Sequence, residues 1–148
     1  MSSQIDPAAL VQAIGDALIV SDVEGRVVVW NAAAERLFGW TEAEALGQRM
    51  DMIIPERLRK RHWEGYDKSM QTGETRYAHD VLRVPAVDKS GRSMSIAFTV
   101  FMLFGPDGKP SACGSVIRDE TERFTQDREL RKRVADLEAR LAAGSAGA

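Results

Sequence analysis

Cysteine is nearly missing. The chain has 148 residues and one thiol, Cys113, which excludes an internal disulfide and any multi-cysteine zinc site. Histidine is almost as scarce, with only His62 and His79. No apolar run approaches the roughly 20 residues of a membrane span, and no charged-then-apolar leader opens the chain. Net charge is only −2, too balanced to draw nucleic acid by bulk electrostatics. There is no nucleophile–base pair, no phosphate-cradling glycine loop and no Glu-x-x-His spacing, so catalysis is not expected of this chain. Internal repeats are absent as well. A reducing, cytoplasmic setting is the resulting expectation.

What is present fits one domain with a core, plus a short appendage. After "MSSQ", Asp6 and Pro7 mark a helix start, followed by a short apolar stripe of Leu10, Val11 and Ile14. "ALIVSD" and "RVVVWN" are β-branched runs around "VEG", which predicts a hairpin with Gly25 at the tight turn. Asn31 ends the second run and can cap "AAAERLFGW", with Leu37 and Phe38 facing inward. Thr41 and Glu44 form a capping box, and Gly47 supplies the stop.

"PERLRKRHWEGYDKSMQTG" is the longer central helix, with Pro55 in the first turn, Glu56 complementing the dipole and Gly73 at the exit. Three strand-like runs follow, "TRYAHDVLRVPAV", "RSMSIAFTVFMLF" and "SACGSVIRD", joined by turn sequences. Alternation puts Met94, Ile96, Phe98 and Val100 on one face. Two hairpin units around a helical insert predict an α+β fold: one five-stranded antiparallel sheet with short helices on one face. The expected divisions are an N-terminal cap helix over 1–15, the main domain over 16–122, and a C-terminal helix with a loose tail over 123–148.

In that last segment Leu130, Val134, Leu137 and Leu141 are spaced four, three, four, a two-heptad seam on a highly charged helix. It fits a parallel homodimer; the alternative is one amphipathic helix folded back onto the sheet. The closing "AAGSAGA" gives no reason for order.

"DALIVSDVEGRVVVWNAAAERLFGWTEAEALGQRM" resembles the front half of a PAS domain. "RSMSIAFTVFMLFGPDGKPSACGSVIRDETER" resembles the back half, with the hand-over to a signalling helix. The likeness spans roughly Asp16 to Arg123. It implies a cytosolic sensor and dimerisation module with a pocket between the sheet and the longer helix. Across the family that pocket holds haem, flavin, a small metabolite or nothing. Cys113 sits in the last strand rather than in the Asn-Cys-Arg helix context of flavin photosensors. It reads as a small buried filler.

On the central helix, His62 shares a face with Leu58, Gly65, Tyr66, Ser69 and Met70, away from most of the charged residues. "IPERLRKRHWEGY" is similar to the haem-binding oxygen-sensor PAS domains of the FixL type. The resemblance implies b-type haem with iron on His62, propionates near Lys68 and Arg76, and Phe98 and Val100 over the distal face. Gly91 falls on the family's hairpin glycine, which supports this register.

Two departures accompany it. Leu82 stands where those sensors have their oxygen-stabilising arginine and cannot donate a hydrogen bond, and Tyr66 falls one residue late, with Gly65 in its place. Tyr77 is then the nearby hydroxyl, and His79 an alternative second axial ligand.

Plainer readings stand beside these. His62 can be a half-buried histidine bonded to a backbone carbonyl, and His79 a solvent-facing strand residue. Trp63 reads as packing, Arg57, Arg59, Lys60 and Arg61 as a solvated face, and Arg76 as a surface partner of Glu74 or Asp80. A cofactor-free or metabolite-binding interaction module, filled by Met50, Met52, Met70, Met94 and Met102, is the competing function. No kinase, cyclase or DNA-binding segment follows in this sequence, so output is expected to pass to a separate effector protein or to further chain.

Overall fold

Three turns use nearly the same local chemistry. In Asp22–Arg26 and Asp88–Arg92 the aspartate Oδ1 accepts backbone N–H groups two and four residues on. The same two turns close through backbone bonds from Asp22 to Arg26 and from Asp88 to Arg92. Gly105–Lys109 closes alike, with Gly105 in place of the aspartate. Gly25, Gly91 and Gly108 take φ of 82°, 84° and 75°, which a side chain would resist.

The computed structural model describes residues 4–75 and 77–146. The order is α1 (Pro7–Ala13), β1 (Ala17–Asp22), β2 (Val27–Trp30), α2 (Ala32–Phe38), α3 (Glu42–Ala45), a 3₁₀ turn (Met50–Ile53), α4 (Glu56–Thr72), β3 (Leu82–Val87), β4 (Ser93–Phe104), β5 (Pro110–Asp119) and α5 (Thr121–Ala146). The five strands form one antiparallel sheet in the order β2-β1-β5-β4-β3. β3 is therefore an edge, where Pro85 removes no needed ladder donor. The expected α+β class is what forms.

One sheet face carries the core. Ala17, Ile19, Met94, Ile96 and Ile117 point to it from the strands, and Ala34, Phe38, Ala45 and Ile53 meet them from the helical side. Asn31 joins the two layers. Its Oδ1 accepts from Leu18 N–H and Ala34 N–H, and its amide donates to the carbonyls of Val11 and Asp16. The residue is fully buried, and both side-chain groups are satisfied. The capping box of Thr41 and Glu44 is also formed.

Three features differ from the sequence reading. The strand expected from Thr75 begins only at Leu82; residues 77–80 form a turn, held beside β4 by a bond from Val100 N–H to the Tyr77 carbonyl. His79 is thus an exposed turn residue rather than a strand residue. α5 continues to Ala146, past Gly144, because the alanines before it favour helix strongly. The alternative of α5 folded back onto the sheet is not what forms, and the leading reading of a free stripe stands: Leu130, Val134, Leu137 and Leu141 are 53–72% exposed. Among the described residues, no helix is long and apolar enough to cross a membrane.

Candidate functional site

α4 starts after Pro55 and ends at Gly73, whose φ of 74° closes the helix. Between them, one side turns toward the sheet. Leu58, His62, Trp63, Ser69 and Met70 are half-buried and Tyr66 is buried, while Glu56, Arg57, Lys60, Arg61 and Glu64 face water. Arg59 is an exception among the basic residues, half-buried with its Nε donating to the Ile54 carbonyl.

His62 points inward. Its ring lies 4.6 Å from Trp63 and 6.2 Å from Tyr66, and its Nδ1 is buried without a hydrogen-bond partner. The backbone-carbonyl bond that would mark Nδ1 of a plain core histidine is not made. Burial pushes the imidazole pKa below its usual value; Asp51 opposes that shift and Arg49 adds to it. At neutral pH the ring is therefore an uncharged donor of a lone pair.

Its two aromatic neighbours tie α4 to the β1–β2 turn. Trp63 donates from Nε1 to Asp51 Oδ1 at 2.6 Å, and the Arg49 guanidinium covers its ring at 3.9 Å. The far edge of that indole lies against Gly25, leaving no room for a Cβ. The Tyr66 hydroxyl donates to the Asp22 carbonyl. Burial, with Cys113 and Asp22 nearby, raises the phenol pKa further.

Behind Tyr66, Cys113 and Ser21 are paired across β1 and β5. Burial pushes the Cys113 thiol up to about 11, so it stays protonated and unreactive. The Ser21 hydroxyl is 1% exposed and has no hydrogen-bond partner.

The other expected site residues spread along this face with unequal fit. Leu82 and Phe98 sit opposite each other in the β3–β4 ladder, and both are half-buried, as is Val100. Met94 belongs to the core, with Met50 and Met52 packed against it. Met102 is half-buried opposite Cys113. Tyr77 is half-buried in the turn before β3.

Gly65 and Lys68, by contrast, are exposed, and Gly65 has open space where a Cβ would stand. At 100° per residue Gly65 falls past the edge of the stripe set by Leu58, His62 and Tyr66, so it does not open the backbone to anything on the sheet side. Arg76 lies outside the described residues. The partners that sequence reasoning missed are Asp22, Gly25, Arg49 and Asp51. Only the Asp-x-x-Gly turn was a signal for any of them.

Among the described residues, no three His, Cys, Asp or Glu side chains converge on a metal position. One imidazole cannot retain a bare ion against water. It can serve as axial ligand to a metal already held by four other donors, the arrangement in haem. An open depression beside the site is lined by Trp40, Arg49, Asp51 and Met52, but not by His62.

Comparison with known proteins bears on the fold. The model of the PAS fold matches residues 11–124. Sensor protein FixL of Bradyrhizobium diazoefficiens is 30% identical over 136 residues, covering 90% of this chain and 25% of that protein. Oxygen sensor protein DosP of Escherichia coli is 28% identical over 131 residues, covering 85% and 15%. The chain thus spans a quarter or less of these two relatives.

Among solved structures, a PAS domain from Colwellia psychrerythraea superposes with a TM-score of 0.66 at 21% identity, over 78% of this chain and 94% of that one. An RNA-binding light-oxygen-voltage receptor does so with 0.70 at 20% identity, over 91% and 40%. At such identities both speak for the fold alone. The chain belongs to the PAS family.

Proposed function

We propose that this PAS domain is a sensory module that binds b-type haem through His62 and responds to a diatomic gas or to redox state. One observation carries the reading: an inward, neutral imidazole whose buried Nδ1 has no protein partner. Two relatives, a sensor protein and an oxygen sensor protein, point the same way. When bound, haem supplies an iron that takes up a gas or changes oxidation state.

The chain's own residues have the remaining tasks. His62 holds the metal. Leu58, Tyr66 and Met70 wall the helix side, and Leu82, Phe98 and Val100 wall the sheet side. By the resemblance, Lys68 and Arg76 would be the basic partners of the propionates and Tyr77 the nearby hydroxyl. Gly65 and Lys68 have the weakest claims, both being exposed on the outer side of the helix. Leu82 donates no hydrogen bond, so carbon monoxide or nitric oxide is expected to be held at least as readily as oxygen.

Purification with haem supplied is the test. The reading expects a Soret band that His62→Ala abolishes. A colourless protein, or an unchanged band in the variant, removes it.

One observation favours a second reading, that of a cofactor-free or metabolite-binding interaction module. The rings of Trp63 and Tyr66 already pack against His62, and the open depression nearby does not include it. A colourless protein that still assembles would select it.

Both readings share an output: a homodimer through Leu130, Val134, Leu137 and Leu141, in the cytoplasm, passing the signal to an effector protein.

A further inference from the structure

Arg26, just before β2, and Arg49, just before the 3₁₀ turn, meet in an isolated antiparallel bridge. Val27 N–H donates to the Gln48 carbonyl and Gly47 N–H to the Val27 carbonyl, which fixes the register. Residues directly opposed in such a bridge project to the same side with Cβ atoms about 5 Å apart, and like charges there are destabilising. Both side chains line the open depression outside the His62 site. Its volume is about 550 Å³, within the roughly 300–1,000 Å³ of small-molecule sites. Folding thus brings two guanidinium groups together on the wall of a depression that can admit a ligand.

The acids on the same wall are engaged elsewhere. Glu44 accepts from Lys89 Nζ at 2.7 Å and from Thr41 N–H at 2.9 Å. Asp51 receives the Trp63 indole. Arg26 donates from Nη1 to the Gly47 carbonyl, and its Nε lies 3.7 Å from exposed Glu24, a contact of little energetic weight. The Arg49 guanidinium sits over the Trp63 ring at 3.9 Å from its centre. Among the described residues it makes no ion pair. A guanidinium held by a ring rather than by an acid keeps its N–H fork for an oxyanion.

The rest of the wall narrows the ligand. Trp40 and Met52 are half-buried there and offer a flat, apolar surface. Glu44 and Asp51 stand beside the two arginines, so a dianion meets repulsion that a single carboxylate largely avoids.

We propose that this depression is a second ligand site that takes a small organic carboxylate with a flat apolar body. The carboxylate lies between Arg26 and Arg49, and the body lies against Trp40 and Met52. Such a ligand relieves the repulsion of the opposed guanidinium groups. It also fixes Arg49 over Trp63, whose ring centre is 4.6 Å from that of His62, so an occupant outside the His62 site bears on α4. The site does not depend on what His62 binds.

The test titrates the full chain with benzoate and follows the indole N–H resonances of Trp40 and Trp63 in proton–nitrogen spectra. Benzamide, the neutral counterpart, and inorganic phosphate are the comparisons. Saturable shifts with benzoate are expected, with both comparisons binding more weakly. Arg26→Gln and Arg49→Gln should each weaken benzoate about tenfold, as loss of a charged hydrogen-bond partner does, while His62→Ala leaves it unchanged.

No saturable shift with benzoate, or benzamide binding equally well, overturns the site. Phosphate binding as tightly as benzoate overturns the choice of a carboxylate. Shifts lost in His62→Ala but kept in Arg49→Gln place benzoate beside His62 and overturn the proposal as well. If Arg49→Gln fails to fold, Arg26→Gln and the benzamide comparison in the unaltered chain decide.

Discussion

At His62, burial and chemistry pull in one direction. A ring held away from water loses more by becoming charged than by staying neutral, and Arg49 adds to that cost while Asp51 offsets part of it. The folded-state pKa is below the unfolded one, so the unfolded chain binds the extra proton first as pH falls. Stability is then unaffected well above the ordinary histidine range and declines as pH drops through about 6.5, until the folded ring also protonates. Thermal melting at pH 8 and pH 5 should show a larger loss for the unaltered protein than for His62→Gln. Equal losses in both would mean the ring is not the group responsible.

Asn31 is a second residue whose chemistry is decided by number of partners. A cap position needs only an acceptor, and that role was legible from "WNAAAE" because capping is local in sequence. The amide's two donations, to Val11 and Asp16, reach a different segment and left no mark in the spacing. Asn31→Asp keeps the cap and turns both donations into oxygen facing oxygen. Buried and unpaired groups of that kind cost about 1–3 kcal/mol each. Denaturant unfolding should therefore find Asn31→Asp at least as damaging as Asn31→Ala, although aspartate is as good a cap as asparagine. A mild effect of Asn31→Asp would refute the two-layer role.

Among the elements, α4 and the β1–β2 turn form one unit. Trp63 seals Gly25, Tyr66 grips the Asp22 carbonyl, and Asp51 fixes the indole. The individual pieces could be read from the sequence, since turns, caps and helix periodicity are short-range. That the turn and helix meet could not, because the contact joins residues about forty positions apart. The same limit explains residues 77–80. Their composition suited a strand, but they form a turn, with Val100 N–H bonded to the Tyr77 carbonyl.

The unit can be tested by a double-mutant cycle. Gly25→Ala carries two penalties, a side chain at positive φ and the displaced indole. In a Trp63→Ala background only the first remains. The cost of Gly25→Ala should therefore fall there by about 1 kcal/mol. Identical costs in the two backgrounds would show that the indole does not seat the turn.

For the molecule as a whole, the decisive fact is that the PAS domain and α5 are stabilised by different things. The domain has its own core on one sheet face. α5 has none, so its helicity should depend on protein concentration, as mass action requires when a partner supplies the packing. The exposed apolar stripe was legible, because a four-three spacing survives any context, whereas the choice between folding back and standing free depended on what the sheet leaves uncovered.

On dilution through the dissociation range, circular dichroism at 222 nm should lose the share of signal contributed by α5, the longest helix, while the near-ultraviolet signal of the core tryptophan Trp30 persists. Leu137→Asp, which buries a charge in the seam, should show the diluted spectrum at every concentration and the mass of one chain by light scattering. If Leu137→Asp keeps the dimer mass, the stripe is not what joins two copies. If helicity is the same at all concentrations in the unaltered chain, α5 finds its packing within its own molecule.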